Sequence, residues 1–366
     1  MGTIAFKKGI KRGLVLMVAV LTIYYIIESR GNLSVMKQIA LQTSKSKKLP
    51  PFQPEVTEDF PTLSEGEPRI PHILHQTYKS EQIPINFASN LESFLKWNPA
   101  WTYYLWTDDS ARQLIQERHP YLLEIWDNYR KPINRADALR YVVLYEFGGV
   151  YADLDVEFLR PLDRVTMKYA CIFPTEPFEH SAFRLGIPYL LSNAVMMCRP
   201  KHPFIAQMLQ NLAKSVVFLE QIDVAGPAFV TYNFLVYNKI DDIYKVKSSN
   251  DSSSPYFYTG TLPEDHIDAV YIPNTVYFMD TLDEHLNSEQ KYYQTCSQFV
   301  LLSDLIQRAC RELYKRGFHR ENHQYAFTVH QWYQSYNPEI LEKYLPEIFG
   351  VSLVHISQIV PNYVIY

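Results

Sequence analysis

The sequence is poor in cysteine. Its four cysteines, Cys171, Cys198, Cys296 and Cys310, include no C-x-x-C pair, so the sequence does not predict a structural zinc site. In an oxidising compartment they can form up to two disulfides, with Cys296 and Cys310 the nearer pair along the chain. Four buried free thiols are the alternative.

The sequence also has few glycines and no net positive charge. Twelve glycines occur in 366 residues, and none belongs to G-x-x-x-x-G-K-[ST] or G-x-G-x-x-G, which excludes a P-loop and a dinucleotide-binding loop. The net charge is -4 and no basic stripe carries interleaved aromatic residues, so nucleic acid is not an expected partner. A diphosphate ligand would therefore have to be held through a metal ion.

A single long apolar run, GLVLMVAVLTIYYII at residues 13–27, follows a basic segment at residues 1–12. The run is short against the ~20 residues of a typical membrane span, but thin early secretory membranes and snorkelling flanks accommodate it. A cleavable signal peptide has a similar pattern, yet no small-x-small site follows Ile27, so we favour an uncleaved anchor. The positive-inside rule then places residues 1–12 in the cytoplasm and the remainder in the lumen.

The rest of the chain divides by composition. Residues 28–68 are rich in proline and polar residues and are predicted to be a stem or linker. We expect a folded domain at residues 69–336 and a C-terminal extension at 337–366. Asn250 lies in an N-x-S sequon within a polar loop, and Asn32 lies in another sequon near the anchor.

Apolar runs alternate with helical patterns in the folded domain. The run RIPHILHQTY predicts a strand that ends in the polar residues His75 and Gln76, and TYYLWTDD predicts a strand that closes on Asp108. Helices are predicted over about residues 86–97 and 110–118. Further strands in LLSNAVMMCRP and AFTVHQWYQSYN, with helices in HPFIAQMLQNLAKSV and AGPAFVTYNFLVYN, extend this pattern. It indicates an α/β fold with a mostly parallel sheet between two helical layers.

The segment NRADALRYVVLYEFGGVYADLD, residues 134–155, combines a helical and a strand pattern. Asn134 fits an N-cap, and the apolar spacing predicts a helix over Arg135–Phe147. Two of the twelve glycines, Gly148 and Gly149, follow directly. Glycine tolerates the backbone conformations that end a helix and reverse the chain, so we predict a tight turn there.

The alternation from Val150 to Phe158 predicts one strand, with Asp153 and Asp155 on the same face. Their Cα atoms would lie ~7 Å apart, which allows both carboxylates to serve one cation. Asp137 and Arg140 share a face of the preceding helix. A solvated strand face and an ordinary helix ion pair are the alternatives. The strand end that follows a tight turn favours a ligand site, because open α/β sheets bind ligands there.

Paired carboxylates without a cysteine cluster suit a hard cation such as Mn²⁺ or Mg²⁺, and such a cation suits a diphosphate. A glycosidase would instead place its two carboxyl groups on opposite sides of the scissile bond, ~5 to 9.5 Å apart. Two acids on one strand face fit a cation better.

The chain resembles glycosyltransferase family 32, the D-x-D sugar transferases that include inositol phosphorylceramide mannosyltransferases and initiating α-1,6-mannosyltransferases. The resemblance covers about Arg69 to Trp332 and is carried by IPHILHQTY, NPAWTYYLWTDD, INRADALRYVVLYEFGGVYADLDVEFLRPLD, LLSNAVMMC, GPAFVT and VHQW. It implies a GT-A fold, a Rossmann-like domain for nucleoside-diphosphate sugars. It also implies Mn²⁺ or Mg²⁺ as cofactor.

The resemblance assigns a role to each polar residue of these motifs. Asp155 should ligate the metal directly, and Asp153 should reach it through water or bind the ribose. Asp137 and Arg140 match donor-sugar contacts, which makes them catalytic candidates with Asp155. His330 matches a C-terminal histidine that closes on the metal and the diphosphate.

Three further residues, His75, Gln76 and Asp108, would border the nucleotide by the same resemblance. Trp332 is predicted to be a packing residue. The chain departs from the family where it has Tyr78 after HQT and where it reads HQWYQSYN instead of H-x-W-x-G-S-W. These departures concern the acceptor more than the reaction.

The implied activity is retaining transfer of a hexose to a glycolipid or glycan acceptor by a type II protein of the Golgi membrane. The resemblance favours mannose from GDP-mannose. Two alternatives stay open, a UDP-sugar-dependent α-1,4-galactosyl or GlcNAc transferase and a luminal sugar-binding protein without turnover.

Overall fold

The computed structural model describes residues 56, 58–218, 220–244, 262–263, 265–283, 289–299, 302–316, 324–333 and 352–366. The predicted anchor at 13–27, the basic segment before it and the sequons at Asn32 and Asn250 lie outside these residues. Within the described ranges, no helix combines the length and the apolar composition that a membrane span requires.

A five-stranded sheet forms the centre of the described structure. Its order is β3-β1-β4-β7-β6, with β3 at Thr102–Trp106, β1 at Ile73–Thr77, β4 at Gly149–Ala152, β7 at Val195–Cys198 and β6 at Cys171–Ile172. β1 is parallel to β3 and β4, whereas β7 is antiparallel to β4 and β6. The α/β class is confirmed, but the sheet is mixed. The chain leaving β6 turns back beside it as β7 instead of crossing over the sheet.

The helices of the described residues are α1 (Ala88–Trp97), α2 (Asp108–Arg118), α3 (Pro120–Asp127), α4 (Pro132–Phe147), α5 (Phe178–Leu185), α6 (Pro203–Ser215), α7 (Gln221–Val224), α8 (Pro227–Tyr237), α9 (Glu289–Ser297) and α10 (Asp304–Arg316). α2 begins two residues earlier than predicted. The Thr107 side chain caps it by accepting a hydrogen bond from Ser110 N, so Asp108 lies in the first turn and not at a strand end.

The helix α4 and the two glycines after it behave largely as predicted. The N-cap is Lys131 rather than Asn134, because Pro132 occupies the first turn, where its missing N–H costs nothing. Gly148 and Gly149 have φ angles of 66° and 100°, which favour glycine. A Cβ on Gly149 would lie 2.6 Å from the Ile73 carbonyl oxygen, so this close approach of the first residue of β4 to β1 requires glycine.

The predicted strand from Val150 to Phe158 is interrupted. β4 ends at Ala152, and Val156 N donates to Asp153 O across 3.1 Å to close a turn. β5 (Val156–Phe158) then leaves the central sheet and pairs antiparallel with β8 (Thr328–His330). The single-strand prediction was wrong because this turn and the long-range partner β8 together redirect the chain.

Alternate residues of β4 and β7 face two hydrophobic cores. Tyr151 and Met196 join the core beneath α4, α6 and α8, whereas Val150 and Val195 join the core that contains α1. This is the two-residue period of a strand buried on both faces. Helices therefore cover both sides of the sheet, as the alternation in the sequence predicts.

Both ends of the described chain pack on this body. Phe60, within the range predicted as stem, is fully buried, with its ring 5.3 Å from the Tyr277 ring. At the other end, β9 (Leu353–His355) pairs with β2 (Gln82–Pro84). The Tyr366 ring stacks on Trp106 at 5.6 Å. The ranges 28–68 and 337–366 thus contribute to the folded body where they are described.

All four cysteines are paired. Cys171 and Cys198 join β6 to β7, and Cys296 and Cys310 join α9 to α10. The structure therefore contains the two disulfides that the sequence allows, and the alternative of four buried free thiols was wrong. Although Cys171, Cys198 and His202 cluster closely enough to suit a metal ion, the two sulfurs are bonded to each other and are not available as ligands.

Candidate active site

The D-L-D sequence forms a turn at the end of β4, and buried side chains hold its main chain in place. Gln76 Nε2 donates to Asp153 O across 3.1 Å, and Asn90 Nδ2 donates to Leu154 O across 3.0 Å. The Leu154 side chain is buried in the core. The two carboxylates of the turn are therefore displayed from a rigid support.

The pairing of β5 with β8 brings His330 to this turn. Val156 lies opposite His330 in the register, so the imidazole reaches the residue just before Val156. His330 Nε2 lies 3.1 Å from Asp155 Oδ1, and Tyr333 N donates to Asp155 Oδ2 across 2.9 Å. The predicted association of Asp155 with His330, which are 175 residues apart in sequence, is present.

The three predicted metal ligands converge. One ligand atom from each of Asp153, Asp155 and His330 lies within 4.8 Å of the other two. Two carboxylates and one imidazole make a donor set that suits Mn²⁺, and His330 Nδ1 has no hydrogen-bond partner among the described residues. The residues present therefore fit a divalent cation.

Arg140 connects the turn to helix α4. Its Nη2 atom lies 3.0 Å from Asp153 Oδ1 and 3.3 Å from Asp137 Oδ1. Asn193 closes the cluster, since its Nδ2 donates to Asp137 Oδ1 across 2.9 Å and its carbonyl accepts from Arg140 Nη1 across 2.7 Å. Arg140 Nε keeps no hydrogen-bond partner in the described part of the chain. Tyr151 also donates to Asp153 Oδ1, across 2.8 Å.

The acids of the site differ in their proton affinity. Burial raises the pKa of Asp137 to about 6, with the Asp153 carboxylate adding to the effect and Arg140 opposing it. Burial likewise raises the pKa of Asp153. Burial alone would raise the pKa of Asp155, but the charge and hydrogen bond of His330 outweigh it and lower that pKa. Burial alone would lower the pKa of His330, but Asp155 outweighs it and raises that pKa.

A cleft of about 510 Å³ contains these groups. The charged and polar side chains that line it include Lys79, Asp108, Lys131, Asp137, Arg140, Asp153, Asp155, Glu176, Arg184, Ser192, Asn193, Glu220, Gln221, Asp283 and His330. Tyr78, Phe87 and Trp332 supply rings. This size and mixture of groups suits a small polar ligand. The cations and the metal-fitting triad together suit a phosphorylated one.

Two predicted nucleotide-bordering residues do not line this cleft. His75 is fully buried, where Nε2 donates to Gly148 O across 2.8 Å and Nδ1 accepts from Trp106 Nε1 across 3.1 Å. Gln76 is also buried, and it supports Asp153 from behind. Asp108 does line the cleft, from the first turn of α2.

The sequence did not predict two residues of the site, Asn193 and Glu176. Asn193 lies in a segment that was predicted only as a strand, and no prediction covered Glu176. The Ser192-Asn193 pair directly before an apolar strand was a usable signal, because buried amides need hydrogen-bond partners. Trp332 packs as predicted, since its Nε1 donates to Thr281 O across 2.8 Å, but its side chain also lines the cleft.

Residues 84–172 match the family model described as "Glycosyltransferase sugar-binding region containing DXD motif". The match includes α4, the glycine pair and the Asp153-Leu154-Asp155 turn. The predicted resemblance to the D-x-D sugar transferases is confirmed over this part of the chain.

Curated relatives share this region. The chain is 36% identical over 175 residues to a mannosyl phosphorylinositol ceramide synthase of Saccharomyces cerevisiae, covering 46% of this chain and 43% of that protein. It is 33% identical over 196 residues to inositol phosphoceramide mannosyltransferase 1 of Schizosaccharomyces pombe, covering 50% and 56%. The chain thus spans about half the length of these relatives. A solved structure of mouse xyloside xylosyltransferase 1 aligns with a TM-score of 0.40 at 11% identity, over 71% of this chain and 97% of that one.

Proposed function

We propose that this chain, with its DXD glycosyltransferase region at residues 84–172, is a metal-dependent GT-A enzyme that transfers a hexose from a nucleoside-diphosphate sugar to an acceptor hydroxyl. One observation carries the proposal. Asp153, Asp155 and His330 converge within 4.8 Å of one another at the cleft that Asp137 and Arg140 also line. A divalent cation and a sugar can therefore occupy adjoining positions.

Different residues of the chain would bind the cation and the sugar. Asp153, Asp155 and His330 would hold the cation, which when bound neutralises the charge that grows on the leaving diphosphate. Asp137 accepts hydrogen bonds from sugar hydroxyls, and Arg140 donates to sugar or phosphate oxygens through its unpartnered Nε. Asn193 already holds Asp137 and Arg140 by hydrogen bonds, and the Tyr151 ring packs against Arg140, so little reorganisation is needed when the donor binds.

The choice of donor and acceptor rests on the relatives. The names of two of them describe mannosyl transfer to inositol phosphoceramide, and they align over about half of their length. On this ground we propose GDP-mannose as donor, a glycolipid as acceptor and retention of the anomeric configuration.

Donor hydrolysis by the full-length protein in detergent tests this function. The protein is incubated with GDP-mannose, GDP-fucose, UDP-glucose, UDP-galactose and UDP-GlcNAc, in Mn²⁺, in Mg²⁺ or in EDTA. We expect metal-dependent release of GDP from GDP-mannose. Cleavage of UDP-galactose or UDP-GlcNAc without cleavage of GDP-mannose would make the enzyme a galactosyl or GlcNAc transferase instead.

Loss of turnover altogether would support a sugar-binding protein. If no donor is hydrolysed under any metal condition while the protein remains folded, the enzymatic proposal fails. Asp109→Asn is a suitable control for substitutions of the site acids, because Asp109 is an exposed acid of α2 that lies outside the cleft lining.

We also propose a luminal, type II orientation in the Golgi. The two disulfides support an oxidising compartment. If the orientation is right, a glycosidase will shift the wild-type protein on a gel and will not shift Asn250→Gln in the same way. An Asn250 that is modified only after the basic residues before the apolar run are removed would contradict the orientation.

A further inference from the structure

A second polar centre, formed by Glu176 and His180, lies at the cleft wall. Glu176 precedes α5, lines the cleft and is only 4% exposed. Its Oε2 atom has no hydrogen-bond partner within the described ranges. A buried carboxylate oxygen without a hydrogen-bond donor is costly, which makes this atom a candidate acceptor for a ligand.

The backbone holds Glu176 in register with the sugar-binding cluster. Glu176 N donates to Leu190 O and Ser192 N donates to Pro174 O, each across 2.8 Å. These two bonds tie the segment before α5 to the segment before β7. The next residue after Ser192 is Asn193, which binds Asp137 and Arg140. Glu176 is therefore fixed relative to those groups.

His180 accompanies this carboxylate. Its Nε2 accepts a hydrogen bond from Asp283 N across 3.0 Å, which assigns the ring hydrogen of the neutral imidazole to Nδ1. Nδ1 lies 3.4 Å from Glu176 Oε2, longer than a good N–H···O bond, and neither atom has a hydrogen-bond partner among the described residues. The His180 and His330 rings pack on the same Trp332 indole, with centroids 4.8 Å and 4.2 Å from it. One indole thus separates the Glu176 centre from the metal-fitting triad.

We propose that Glu176 is a binding residue for a polyol hydroxyl group, with Oε2 accepting the hydrogen bond. An ionised carboxylate is an acceptor only, and a hydroxyl is a donor that fits a narrow, buried site. The proposal rests on the glycosyltransferase function. Two molecules in that reaction carry such hydroxyls, the hexose of the donor and the polyol of the acceptor, and the experiment separates them.

Glu176→Gln tests the proposal in the full-length protein, because it keeps the shape and removes the charge. Binding of methyl α-mannoside and of myo-inositol is measured by ligand-observed NMR, which needs no turnover. We expect the Kd of one probe to rise about 10-fold, because the amide replaces a charge-assisted hydrogen bond by a weaker neutral one. Weaker binding of the mannoside, with a higher KM for GDP-mannose hydrolysis, assigns the donor hexose. Weaker binding of inositol with an unchanged hydrolysis KM assigns the acceptor.

Glu179→Gln is the matched control. Glu179 is a nearby buried acid in the first turn of α5, 2% exposed, but it pairs with Arg316 and does not line the cleft. We expect it to lower the thermal unfolding temperature without changing probe affinity. The proposal is overturned if Glu176→Gln binds both probes like the wild type, or if the wild type binds neither. Absence of any donor hydrolysis in the wild type would instead reject the proposed enzyme, while the NMR result would still decide on Glu176.

Discussion

Strand β1 and the turn after its neighbour β4 both carry polar residues that we predicted to bind the donor. In the middle of β1, His75 is buried against a carbonyl and an indole N–H. In the turn after β4, Asp155 meets His330 beside a cleft. Both histidines are buried, yet burial lowers the pKa of His75 to about 4, whereas Asp155 raises that of His330.

The difference shows that burial alone does not decide what a buried histidine does. A neutral partner leaves desolvation unopposed, so the imidazole stays uncharged and serves the fold. An anionic partner opposes desolvation and raises the imidazole pKa, and the same carboxylate and imidazole can bind a divalent cation once the ring proton is lost. We expect substitutions near His75 to change stability and substitutions near Asp155 to change turnover.

The largest expected effect is at the end of β4. Asp155→Asn should lower the kcat of donor hydrolysis at least 10²- to 10³-fold, because loss of one strong electrostatic contact to a transition state typically costs ~2.7 to 4 kcal/mol. The amide still accepts from Tyr333 N, so the variant should stay folded, with a lower thermal unfolding temperature because the buried pair with His330 loses its anion. Activity is compared with Asp109→Asn in parallel. Turnover near that of the wild type would refute the role of Asp155 at the metal.

The second-largest effect is expected at His75 in β1, as a change in the free energy of unfolding. His75→Gln should lower the free energy of unfolding at pH 7 by about 1 to 3 kcal/mol, since two buried hydrogen bonds lose their geometry. Enzyme that remains folded should keep a kcat within several-fold of the wild type. A large loss of kcat with unchanged stability would place His75 in the donor site after all.

The difference in stability between the wild type and His75→Gln should depend on pH. Because the folded-state pKa of His75 is about 4 against 6.5 for the free side chain, the unfolded chain binds more protons between these values. Wild-type stability should therefore fall as the pH drops from 6.5 to 4, by up to about 3 kcal/mol from this residue. Chemical denaturation across this range should show the gap to His75→Gln shrinking. A constant gap would mean that His75 is not neutral in the fold.

The sequence predicted what depends on near neighbours. Helix α4 and the glycine turn follow from local spacing, and the pairing of Asp137 with Arg140 follows from the helix. The contact between Asp155 and His330 depends on the register of β5 and β8, which only the family resemblance indicated. The β4 strand was predicted too long because alternation persists through the turn, and Glu176 had no local signal because its position depends on the backbone bond to Leu190.

A smaller effect is expected where only the support of an acid is removed. Tyr151→Phe keeps the ring beneath Arg140 but removes the hydroxyl that donates to Asp153 Oδ1. We expect the KM for the donor to rise about 10-fold, as for a hydrogen bond to a charged group, with kcat nearly unchanged. Steady-state hydrolysis at several Mn²⁺ concentrations would measure it. A change in kcat alone would mean that Asp153 acts in the chemical step rather than in binding.

The smallest effect is expected at Tyr103, and it tests whether β1 and the turn after β4 are coupled. Tyr103 donates to Gln76 Oε1 across 3.1 Å, and Gln76 Nε2 donates to Asp153 O across 3.1 Å, so one chain of hydrogen bonds links β3 to the turn. Tyr103→Phe should cost about 1 kcal/mol of stability, because one buried bond is lost. If Gln76 is also held by its backbone in β1, kcat/KM for the donor should change by less than about 3-fold, since the amide still reaches Asp153 O. A tenfold loss of kcat/KM would show that the turn depends on side chains of β3, and that the separation of stability from turnover drawn above is incomplete.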